Sequence, residues 1–168
     1  MSEIINRVKN SSLVTIDINE FYVFGDREVL DISIFLDSGI LREKNFRELI
    51  SKYQWSNYKN KFVSVQCSED AIIPSWAYML ISSYLSSSCN DYCMGSLKNL
   101  EKKLYDDKIK SYDFSGYKDA KVIIKGCSDI PNFEYVYFEL TKVLMPLVSG
   151  LMYGEPCSTV PIFKNKIK

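Results

Sequence analysis

Residues 53–67 read YQWSNYKNKFVSVQC, and residues 112–127 read YDFSGYKDAKVIIKGC. With one extra residue allowed in the second segment, Tyr53, Ser56, Tyr58, Lys59, Val63 and Cys67 match Tyr112, Ser115, Tyr117, Lys118, Val122 and Cys127, and Trp55 matches Phe114. Each segment opens on aromatic residues, runs into a short stretch of Val, Ile or Phe, and stops at a turn. A short apolar run rich in β-branched residues and bounded by turn formers has the length of a buried strand. A charged amphipathic stretch precedes each copy, REKNFRELIS at 42–51 and EKKLYDDKIK at 101–110. An aromatic apolar one follows, SWAYMLISSYL at 75–85 and FEYVYFELTKVL at 133–144. The chain therefore reads as helix–strand–helix twice over. Two copies are too few for a solenoid.

Working outward, strands are expected at 61–66 and 121–125, with weaker ones at 91–94 and 148–153, and helices at about 74–88, 96–110 and 131–145. Pro74 and Pro131 suit the first turn of a helix, where a missing N–H costs nothing. Strand–helix alternation with short links implies parallel strands joined by right-handed crossovers. The expected class is α/β, a mostly parallel sheet with helices on both faces, containing a duplicated helix–strand–helix unit. The expected organisation is a single α/β domain over 1–168. Within it, 1–41 forms an N-terminal cap or edge strand, 42–90 and 101–147 are the repeat units, and 148–168 is the last strand and a cysteine-containing tail. In the cap, DISIFLDSG reads as a short helix started by Asp31 and stopped by Gly39.

Composition excludes several chemistries. The 168 residues carry 21 basic and 21 acidic side chains and no histidine. Zero net charge gives no electrostatic reason for a nucleic-acid or membrane partner, and neither is expected. Without imidazole there is no Ser–His–Asp or Cys–His nucleophile and no histidine zinc site. MSEIINRVKN has no apolar h-region, and the most apolar helical stretch is too short to cross a bilayer. Five cysteines without an export signal fit free thiols in a cytoplasmic protein. No reaction is assigned, and a non-catalytic role is expected.

Cysteine recurs in one context: QCSEDAIIP at 66–74, KGCSDIP at 125–131 and EPCSTVP at 155–161. If the strands share one parallel sheet, Cys67, Cys127 and Cys157 follow carboxyl ends on one rim, where ligands bind. Adjacent strands lie about 4.8 Å apart, so the thiols would approach one another. Three thiolates suit zinc or an iron–sulfur cluster, with Asp129, Asp70 or Glu155 as further ligands. Cys93 is a more distant candidate, and Cys89 reads as structural. The plain alternative is three buried thiols that only pack, in a protein-interaction module that forms a homodimer. Asp17 with Glu20 and Asp26 with Glu28 are carboxylate pairs that nothing in the sequence positions.

The segments IIPSWAYML (72–80), KGCSDIP (125–131) and MYGEPCSTVP (152–161), with LREKNFRELI (41–50) upstream, resemble the domain of unknown function 2480 family of Bacteroidetes. Cys127 and Cys157 fall inside those segments, and Cys67 lies five residues before IIPSWAYML. The family has no assigned reaction. Its association with gene neighbourhoods for sulfur mobilisation and iron–sulfur cluster assembly implies an accessory role there, with iron–sulfur assembly proteins as partners.

Overall fold

In the computed structural model, which describes residues 13–126 and 129–164, the apolar runs are strands and the amphipathic stretches helices. The order is β1 (Leu13–Asp17), β2 (Arg27–Asp31), α1 (Glu43–Lys52), β3 (Phe62–Gln66), α2 (Ser75–Leu85), β4 (Asp91–Met94), α3 (Leu97–Ser111), β5 (Lys121–Lys125), α4 (Phe133–Leu144), β6 (Gly150–Glu155) and β7 (Ser158–Lys164). Short 3-10 turns occupy Ile18–Phe21, Ile32–Phe35, Trp55–Tyr58 and Ser115–Tyr117. The class is α/β, and every strand pairing is parallel except that of β6 with β7. Where the sequence led to one sheet, the strands form two, ordered β2-β3-β4 and β1-β5-β6-β7. The reason is pairing choice. β1 joins β5, distant in sequence, and hydrophobic periodicity does not encode which strands become neighbours. The chain divides into two compact units, Phe24–Lys103 and the residues through Val23 with those from Leu104 onward.

In the three-stranded unit, side chains alternate across β3. Val63 and Val65 enter a core with Leu30, Phe46, Ile50, Ala77, Ile81 and Leu85. Phe46 and Ile50 stand four apart on α1 and so share one face. Phe62 and Ser64, on the other side of β3, are buried as well. There the Arg27 guanidinium lies 5.3 Å from the Phe62 ring centre and bonds Glu101 of α3 through two N–H groups, at 2.7 and 3.2 Å. Helices thus reach both faces of this sheet. Asp31 starts the short helix foreseen at DISIFLDSG, which is a 3-10 turn. Its Oδ1 accepts from the Ser33 N–H at 3.0 Å.

In the four-stranded unit, β5 lies between β1 and β6. Val122 and Ile124 pack with Ile16, Val136, Leu140, Leu144 and Leu151. Asp17 caps its own 3-10 turn through the Asn19 N–H. The last expected strand lies two residues later than the apolar pattern suggested, at Gly150–Glu155. It turns through Pro156 and Cys157 into β7, a strand the sequence reading did not include. Pro74 is the N-cap of α2 rather than a first-turn residue. Pro131 precedes the α4 cap Asn132, whose φ is 55°.

Candidate functional site

The rim of the three-stranded sheet carries Asp31 at the end of β2 and Cys67 just after β3. Asp31 Oδ1 accepts from the Ser33 and Ser68 N–H groups at 3.0 and 3.1 Å, and the Ser68 hydroxyl donates to the Ser33 hydroxyl at 3.3 Å. Burial works to raise the Asp31 pKa. The bonds from the Ser68 side chain, the Ser33 and Ser68 backbone and the Ser33 side chain outweigh it and hold the group at about 2, below its ordinary 3.8. The half-buried Cys67 thiol donates to the Glu69 carbonyl at 3.4 Å, and Asp70 is exposed.

The other thiol candidates belong to the four-stranded unit. Cys157 and Glu155 are exposed in the β6–β7 hairpin, and Asp129 is exposed before α4. Cys127 lies outside the described residues. The shared sheet that would have gathered the three thiols is absent, because β3 belongs to one sheet and β5 and β6 to the other. Among the described residues no group of three or more Cys, Asp and Glu could hold a metal ion. Cys89 donates to the Leu85 carbonyl at 3.2 Å. Burial pushes the Cys89 thiol up, helped by the charge of Asp91. Burial likewise pushes up Cys93, against the pull of Lys103. Three of the four carboxylates singled out in sequence have structural partners. Asp17 caps a turn, Glu20 accepts from the Tyr112 hydroxyl, and Glu28 pairs with Lys61 at 2.8 Å.

The feature that sequence reasoning missed is a groove between α2 and β4. It is lined by Tyr78, Met79, Ser82, Tyr92, Cys93 and Met94, and its volume is about 300 Å³. The Ser82 and Tyr92 hydroxyls bond each other at 2.8 Å, which leaves a largely apolar wall. Met79 is 72% exposed and Met94 63%. Within its sheet β4 is an edge strand, with β3 on one side only. An edge strand presents a row of backbone N–H and C=O groups able to accept another strand. Two exposed apolar side chains beside such an edge form the kind of surface that commonly marks an interaction site.

The four-stranded unit has a groove in the same relation to its own elements. Ile124, Tyr137, Thr141, Leu151, Met152 and Tyr153 line it, with Ile162 of β7. Here β7 runs antiparallel along β6, pairing Tyr153 with Val160 and Met152 with Pro161. One groove is therefore bordered by an added strand and the other is open. The missed signal was TVPIF at 159–163, a strand-like run after a turn. Its proline belongs at an edge, and its register shift hides the alternation.

The model of a family described as protein of unknown function (DUF2480) matches residues 2–165, and the chain belongs to that family. No curated protein and no solved structure matches the chain. Among the described residues no helix is long and apolar enough to cross a membrane.

Proposed function

We propose that this member of the DUF2480 family is a cytoplasmic, non-catalytic protein-interaction module built from two copies of one α/β unit, with the α2–β4 groove as its docking surface. One constant offset along the chain supports the two-copy reading. It carries Tyr53 and Tyr58 onto Tyr112 and Tyr117, Val65 onto Ile124, Tyr78 onto Tyr137, Ser82 onto Thr141 and Met94 onto Tyr153, without an inserted residue. The hydroxyls of Tyr53 and Tyr58 meet at 2.9 Å and those of Tyr112 and Tyr117 at 3.0 Å. On this alignment Cys67 corresponds to Gly126, not to Cys127, so two of the three cysteines are not an inherited pair.

The observation that carries the docking reading is the contrast between the two grooves, one bordered by the added strand β7 and one beside an unpaired edge and lined by exposed methionines. The test compares partners recovered from native extract by the tagged chain and by Met79→Lys and Met94→Lys variants whose unfolding midpoints match the parent. Loss of specific partners in both variants is expected. Retention of every partner would remove the docking surface.

A second reading has its own support. Cys157 is exposed and Cys67 is only half-buried, both following strand ends, whereas burial raises the thiol pKa of Cys89 and Cys93. In this reading Cys67, Cys127 and Cys157, completed by Asp129, Asp70 or Glu155, hold zinc or an iron–sulfur cluster, and iron–sulfur assembly proteins are the partners. Metal analysis and visible absorption of anaerobically purified chain test it. Equal metal content in the parent and a Cys67→Ser/Cys127→Ser/Cys157→Ser variant would end it.

A further inference from the structure

We propose that the α2–β4 face is closed by the same face of a second copy of this chain, the two β4 strands pairing antiparallel about a two-fold axis at Cys93. The inference rests on the docking reading and adds the occupant and its register.

The four-stranded unit shows what such an edge accepts. β7 lies antiparallel on β6, and its Ile162, 53% exposed, borders the groove that Tyr137, Thr141 and Tyr153 also line. At β4 one patch supplies both halves of that arrangement, the groove and the protruding apolar side chains. Met79 and Met94 stand out beside the hollow they help to line. A patch that carries both knob and hole is self-complementary, which is the requirement of an isologous two-fold contact. Thioether chains adapt to such a fit because they are unbranched and polarisable.

Charge points the same way. No lysine, arginine, aspartate or glutamate lines the groove. Asp91, at the start of β4, is paired with Lys103. Two copies therefore meet without like-charge repulsion, and a zero net charge adds none at long range. Of the other sheet edges, β1 (Leu13–Asp17) is as lightly charged as β4, with Asp17 paired to Lys125, whereas β2 and β7 carry the usual protections against pairing. β2, the opposite edge of the same sheet, begins Arg27-Glu28, and β7 carries Pro161 and Lys164. In Asp91–Met94 the one charged residue is already in an ion pair.

The register follows from face alternation. Residues opposed across an antiparallel two-fold pair share a face, so the axis runs through one residue and its own mate. An axis at Cys93 sets Tyr92 against Met94 of the second copy, ring against thioether. It leaves Asp91 opposite Gly95. An axis at Tyr92 would set Met94 against Asn90 and leave its apolar side chain unmatched. In the chosen register the two Cys93 side chains are direct neighbours, with Cβ atoms about 4.5–5.5 Å apart.

The experiment uses the purified full chain in a Cys157→Ser background, which removes the exposed thiol. Sedimentation equilibrium is expected to give a dimer at tens of micromolar, and Met94→Lys a monomer that still unfolds cooperatively, its midpoint matching that of the parent diluted until it is monomeric. Diamide is expected to trap a dimer joined through Cys93 by peptide mapping, lost in Cys93→Ser and kept in Cys89→Ser. A monomeric parent, a dimer indifferent to Met94→Lys, or a cross-link that bypasses Cys93 would each overturn the proposal. A monomeric parent whose extract partners still depend on Met94 would overturn only the second-copy occupant and leave the docking surface standing.

Discussion

Replacing Asp31 separates a structural carboxylate from a chemical one. Its Oδ1 takes two backbone N–H bonds, one starting the Ile32–Phe35 turn and one holding the segment after β3. Hydrogen bonds to a charged acceptor contribute about 1.5–3 kcal/mol each when shielded, and loss of an N-cap costs about 0.5–2 kcal/mol. Asp31 lies near the surface, where water screens both, so Asp31→Ala is expected to cost about 2 kcal/mol. Asp31→Asn keeps an acceptor but not its charge and is expected to cost about 1 kcal/mol. Both tryptophans of the chain, Trp55 and Trp76, belong to the same unit, so their fluorescence in urea reports its unfolding. With a slope of about 2 kcal/mol per molar urea, the alanine variant should unfold about 1 M earlier near neutral pH. The pH dependence has a fixed sign. The folded pKa is depressed to about 2 from 3.8, so the stabilisation is complete above the ordinary value and disappears as the pH falls through the folded one. The gap between parent and Asp31→Asn should therefore hold constant at mildly acidic pH and close over the interval between those two values. A gap that persists unchanged to the lower value, or no midpoint shift near neutrality, would refute the capping account.

Two further outcomes follow from the same geometry. Glu101→Gln should destabilise the three-stranded unit by about 3–5 kcal/mol, because it leaves the Arg27 guanidinium shielded from water beside Phe62 without its counter-charge; an Arg27→Met/Glu101→Leu double variant should recover much of that loss in the same urea titration. Timed alkylation with mass mapping should modify exposed Cys157 well before Cys89 and Cys93, whose thiols are held in the protonated form by burial, and equal rates for all three would contradict that assignment.

The strands and helices were legible because their residues carry the burial. Val63 and Val65, or Val122 and Ile124, are apolar runs that nothing but a covered strand explains, and Phe46 with Ile50 declares the inner face of α1. Sheet membership was not legible. Leu13–Asp17 and Arg27–Asp31 are both plausible neighbours for either central strand. The pairing of β1 with β5 is decided by packing across most of the chain. The cysteine site inherited that uncertainty, because its compactness depended on a single sheet. The groove was hidden for another reason. Met79 and Met94 read as core residues in a one-dimensional pattern, and only the topology leaves β4 with one neighbour.

The positions where the two units differ carry more functional weight than those where they agree. After β3 the chain continues through Cys67 to Ser68, whose N–H reaches Asp31. After β5 the corresponding residue is Gly126, with φ near 145°, and a Cβ there would come within 2.3 Å of Ile18. No L-residue side chain fits that point without displacing Ile18. In the four-stranded unit β7 runs along β6 and Ile162 borders the groove. In the three-stranded unit Met79 and Met94 remain at the surface, an apolar exposure that folding of the single chain does not remove and that the proposed association would cover.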